Sequence, residues 1–129
     1  MRENIKMWLC ISECDIVAGS TNMHYCGGEI IEESDSPNKD CFISVTAAQA
    51  KQLSNILKSI QKEKSYQEKQ RLSIRLSHPR INWKAEQRLN GSIQEARSMR
   101  ARFNKLASEI AGKEVEVFWD CKTYDKRAW

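Results

Sequence analysis

Thr46–Ser77, "TAAQAKQLSNILKSIQKEKSYQEKQRLSIRLS", is where the hydrophobic period of the chain changes. Thr46 and Gln49 form a capping box, the threonine oxygen accepting from a backbone N–H while the glutamine reaches back. Apolar residues follow at Ala50, Leu53, Ile56, Leu57 and Ile60, the spacing of one helix face. Lys64 falls where the next apolar residue belongs, so the stripe ends there, and "SYQEKQ" reads as a solvated extension. "RLSIRLS" then alternates strictly, with Leu72, Ile74 and Leu76 against Arg71, Ser73, Arg75 and Ser77. That alternation predicts a half-buried strand over 71–77, broken at His78-Pro79.

Upstream, Ile5–Val17 is apolar, β-branched and uncapped, and predicts one strand. Gly19–Asn22 is a turn cluster, and "MHYCGGEIIEE" predicts a second strand with a bulge or bend at Gly27-Gly28. Cys41–Val45 predicts a third. Downstream, Asn82–Gly91 reads as a short helix stopped by Asn90-Gly91, and Ser92–Glu95 as a second capping box. Ile93, Ala96, Met99, Phe103, Leu106, Ala107 and Ile110 then form an amphipathic stripe closed by Gly112. Lys113–Asp120 alternates as a last strand before a polar tail. Leu53, Ile60, Phe103 and Leu106 centre the two strongest stripes and are the predicted core.

The order β-β-β-α-β-α-α-β predicts an α+β domain. Its sheet is mostly antiparallel, with two main helices and one short helix on one face. The 129 residues suit a single domain. It divides into a strand-rich head (1–45), a helical body (46–112), and a last strand with tail (113–129). Charge is segregated along it. Residues 1–40 carry three basic against eight acidic side chains, whereas 41–112 carry fourteen against five. Such segregation favours a charged partner. No apolar run reaches bilayer length, and the first residues lack a signal-peptide pattern, so the expected location is the cytoplasm. The five cysteines are expected to be thiols there.

Cys10, Cys14, His24 and Cys26 raise the question of a structural zinc site. The expectation is no metal, because neither Cys-x₃-Cys nor His-x-Cys is the usual tight knuckle. The alternative depends on hairpin register. If Ala18 pairs with Met23, the two ligand pairs face opposite ways; a shift of one residue brings them together. Catalysis is not expected. Only His24 and His78 can act as neutral-pH bases, Cys26 beside His24 sits among carboxylates, and no phosphate loop or metal-ligating pair is present.

The cations are the candidate binding residues. Lys51, Lys58, Lys62 and Lys69 fall in one sector of the first helix, spanning roughly 27 Å at the standard rise. Arg71 and Arg75 share a face. Arg80, Lys84 and Arg88 surround Trp83, and Arg97 and Arg100 lie on the last helix. The expected function is a small, non-catalytic cytosolic protein acting through this charged surface on a protein partner, with no cofactor and no membrane. In this reading the acidic head can also mimic nucleic acid on a basic partner, the way in which compact phage-encoded inhibitors of nucleic-acid-handling complexes, those of CRISPR defence included, work as a class. No motif here assigns the chain to them. The first alternative is direct, weakly sequence-specific nucleic-acid binding through phosphates, with Trp83 stacking on a base. The second is the zinc module.

Overall fold

The computed structural model describes residues 5–76 and 79–117. In chain order its elements are β1 (Lys6–Cys10), β2 (Cys14–Ala18), β3 (Thr21–Tyr25), β4 (Ile30–Glu33), β5 (Phe42–Val45), α1 (Ala47–Leu76) and α2 (Pro79–Ala111). β1 is central in an antiparallel sheet of order β4-β1-β5, and β2 and β3 form a separate antiparallel hairpin. The fold is α+β.

The strand pairing sorts side chains by face. Leu9 lies opposite Ile30 and Ile43, and Met7 opposite Val45. These residues join the main core with Leu53, Ile60, Phe103, Ala107 and Val117. Trp8 lies opposite Ile31 and Cys10 opposite Phe42, so they share the other face. There they meet Cys14, Ile16 and Tyr25 of the β2–β3 hairpin in a smaller cluster. Tyr25 meets Phe42 edge to face at 5.4 Å. The sheet therefore has helices on one face and the hairpin on the other.

The predicted Ile5–Val17 strand is two strands in two sheets. Cys10 and Ile11 are both buried, so alternation fails there, and the chain turns through residues 11–13. The predicted second strand is likewise divided into β3 and β4. The Gly27-Gly28 bend lies between them, with Gly28 at φ 98° and its N–H donating to the Cys10 carbonyl at 2.8 Å. The β2–β3 turn is tighter than either register considered from sequence. Ala18 pairs with Thr21, and Gly19 at φ 63° supplies the positive first position of a two-residue hairpin turn.

The Thr46 capping box forms with both bonds in place. Gln49 N donates to Thr46 Oγ1 at 3.1 Å, and Thr46 N donates to Gln49 Oε1 at 2.9 Å. α1 then runs for 30 residues, roughly 44 Å at the standard rise. It runs straight through Arg71–Leu76, where a strand was predicted. Extending an existing helix needs no new nucleus, and Leu and Arg are good helix formers, whereas a strand there needs a pairing partner. α2 runs for 33 residues through Asn90-Gly91, so the short third helix is not a separate element. Ser92 is no cap: it is buried within α2, and its hydroxyl donates to the Glu63 carboxylate on α1 at 2.5 Å.

Gly91 is exposed within α2, and a Cβ built on it meets nothing within 4 Å. Gly91→Ala should therefore stabilise the fold by about 0.5–1 kcal/mol. Urea unfolding checks this: the midpoint should rise with the slope unchanged.

Gly112, at φ 71°, ends α2 as expected. Residues 113–117 form no strand; Phe118 to Asp120, the rest of the predicted strand, lie outside the described residues. The segment is instead pinned by α2 side chains. Val115 N donates to Ser108 Oγ at 3.0 Å and Val117 N to Asn104 Oδ1 at 2.9 Å.

Candidate functional site

Two regions hold the residues singled out by sequence. The first is the Cys/His group of the head. β2–β3 pairing sets Cys14 opposite Tyr25 and Asp15 opposite His24, so Cys14 and His24 project from opposite faces. Cys14 packs with Cys10, Phe42 and Cys41 under the main sheet. Burial pushes the Cys10 thiol up to about 12 and also raises that of Cys14, where a hydrogen bond with Cys41 adds to the effect. Cys10, Cys14, His24 and Cys26 do not converge. Among the described residues no group of three or more His, Cys, Asp or Glu side chains is placed to hold a metal ion.

His24 is held by carboxylates. Its Nδ1 lies 2.7 Å from Asp15 Oδ1, and its Nε2 lies 3.0 Å from Glu13 Oε1 and 3.6 Å from Cys26 Sγ. The hydrogen bond to Asp15 leads in raising the His24 pKa above its ordinary value, and the Asp15 and Glu13 charges add to it. Both ring nitrogens of His24 therefore lie within reach of carboxylates, and the ring is not committed to Cys26. The Cys26 amide, a position from which an oxyanion could be held, donates to the Glu29 carboxylate at 2.6 Å.

The folded pKa of His24 is raised, so its contribution to stability is fully present below the unfolded value, about 6.5. That contribution disappears as pH rises through the folded value. Asp15→Asn should move the His24 NMR titration midpoint down toward 6.5. An unmoved midpoint would show that Asp15 does not set it.

The second region is the helical hairpin. Lys51, Lys58, Lys62 and Lys69 are all exposed on α1. Lys58, Lys62 and Lys69 line a shallow groove with Tyr66, itself exposed. Arg75, Lys84 and Arg88 are exposed and Arg71 half-buried, all toward the end of the hairpin away from the sheet. Trp83 is 52% exposed, with Lys84 Nζ 5.7 Å from its ring centroid, so it is no core anchor. Arg97 and Arg100 lie nearer the sheet. Arg100 is half-buried, its pKa lowered by burial and by Arg97, and its Nε has no hydrogen-bond partner. The Arg80 side chain and His78 lie outside the described residues.

Leu72 and Leu76, taken from the sequence as the inward face of a strand, are instead exposed on α1, Leu76 at 77%. They stand one helical turn apart, beside Arg71 and Arg75. Their i,i+4 spacing, outside the stripe that ends at Ile60, is the sequence signal for a second apolar face.

Comparison with protein-family models, curated proteins and solved structures finds no match to this chain. No helix among the described residues is long and apolar enough to cross a membrane.

Proposed function

We propose that the chain is a non-catalytic binding protein whose working surface is the far half of the helical hairpin, and that its ligand is another protein. The observation that carries this is the exposure of Leu72, Leu76 and Trp83 among Arg71, Arg75, Lys84 and Arg88. Large apolar groups ringed by cations suit a protein surface that is partly apolar and partly acidic. The non-catalytic part is supported by the doubly bonded imidazole of His24 and the occupied amide of Cys26. Cytoplasmic action on a nucleic-acid-handling complex, in the manner of phage-type inhibitors, is the finer form of this proposal. Its support is the separation of an acidic head from a basic body.

Direct nucleic-acid binding is the competing reading, and one observation favours it. Lys58, Lys62 and Lys69 share a groove with exposed Tyr66, which places phosphate contacts beside a stacking ring. The two readings separate in one experiment. Complexes captured on the immobilised full chain are compared with those on Arg71→Glu/Arg75→Glu, while a labelled oligonucleotide is titrated in parallel. The protein reading expects a captured partner lost in the double variant, with no oligonucleotide binding at physiological salt. Nanomolar oligonucleotide binding abolished by reversing Lys58, Lys62 and Lys69 would overturn it.

A further inference from the structure

In the half of the hairpin near the sheet, large apolar side chains point inward: Leu53, Ile60 and Phe103 are fully buried. In the far half the buried positions among the described residues are Gln67, Ala85 and Ser92, and both polar atoms of the Gln67 amide lack a hydrogen-bond partner. Leu72, Leu76 and Trp83 there are exposed, and Ile74 and Leu89 are half-buried. Glu68, Arg71, Leu72, Ile74, Arg75 and Leu89 line a concavity of about 460 Å³ between the helices, its wall almost wholly apolar. Leu72 and Ile74 of α1 and Leu89 of α2 supply its apolar groups, and Arg71 and Arg75 stand one helical turn apart beside them. Residues 61–76 and 82–92 together carry seven basic side chains against three acidic ones.

Building on the protein-partner reading, we infer that this groove takes an amphipathic helix of the partner, its apolar stripe against Leu72 and Leu89 and its flanking carboxylates against Arg71 and Arg75. An apolar trough between two helices, flanked by cations one turn apart, matches helix-in-groove recognition. Guanidinium groups on the rim favour carboxylates, which they can grip with two parallel hydrogen bonds. A second copy fits poorly. Groove against groove would set Arg71 and Arg75 against their own counterparts, and the acidic part of this chain is built of strands. A phosphate backbone gains nothing from an aliphatic floor, and no aromatic ring lines this one.

The test uses the full chain and three labelled synthetic peptides, each about five helical turns long. One has leucines at helical spacing among glutamates, the second has lysines for the glutamates, and the third is the first interrupted by prolines. Fluorescence polarisation should show micromolar binding of the glutamate helix, at least about tenfold tighter than either control. Leu72→Asp should lose at least about tenfold without a fall in melting temperature, since Leu72 is 48% exposed. Arg71→Glu/Arg75→Glu should reverse the preference toward the lysine helix.

Equal binding of the proline-interrupted peptide would reduce the effect to charge and overturn the groove. So would no binding of the glutamate helix, indifference to Leu72→Asp, or a dimer in sedimentation that Leu72→Asp dissociates. Partner capture distinguishes the two levels. Capture that survives Leu72→Asp but not Arg71→Glu/Arg75→Glu removes the groove and leaves the protein-partner reading. Capture indifferent to both removes both.

Discussion

Phe103→Ala is expected to cost about 3–5 kcal/mol, with a fall in melting temperature on the order of 10 °C or more. Phe103 is fully buried on α2 and shares a cluster with Leu9 and Val45 of the sheet, Leu53 and Ile60 of α1, and Val117. Truncation opens a cavity among the sheet, α1 and the segment that carries Val117, which cannot all collapse into it. Leu106→Ala should cost less. Both residues belong to the predicted stripe, but Leu106 is only partly buried against that cluster. Equal losses at the two positions, read by denaturant unfolding, would contradict the placement of α2.

Gly27→Ala is the second large effect, at least about 2 kcal/mol. A methyl group built on Gly27 overlaps the carbonyl group of Val117, which is backbone and cannot rotate away. The segment that would have to move is tied to α2 through Asn104 and Ser108, and it carries the fully buried Val117. Gly27 thus marks where the bend between β3 and β4 meets the chain returning from α2. A loss below about 0.5 kcal/mol would show that the return segment does not pack there.

These two residues also show what the sequence discloses and what it conceals. Phe103 is legible because its stripe repeats over several turns of one helix. Gly27 is legible as a bend, but its close neighbour stands ninety residues later, beyond the reach of local pattern. The two capping boxes make the same point. Thr46-x-x-Gln49 follows a strand and caps a helix, whereas Ser92-x-x-Glu95 has the same local chemistry and lies inside one. What decides the second is Glu63, across the hairpin.

The proposed binding surface is half legible in the same sense. Its cations were visible because charge needs no fold to be counted. Its apolar part was hidden, because seven alternating residues satisfy the period of a strand as well as they decorate a helix that is already running. Leu72, Ile74 and Leu76 therefore read as the inward face of a half-buried strand; on α1, Leu72 and Leu76 stand exposed beside the arginines and Ile74 is half-buried. The head departs from its pattern for a related reason. The apolar run continues through Cys10–Cys14 although the strand does not, and the tight Gly19-Ser20 turn sets a register that residue spacing alone does not disclose.

Photo-crosslinking from each end of the molecule tests the central claim most directly. A benzophenone side chain is placed at Leu76, on the far end of the hairpin, or at Val17, equally open in the head, at 77% and 71% exposure. Each full-length chain is irradiated in a lysate of the cells that produce it. A discrete protein adduct is expected from position 76, weakening as salt is raised, and none from position 17. An adduct from position 17 alone, or an adduct from position 76 that nuclease digests, would contradict it.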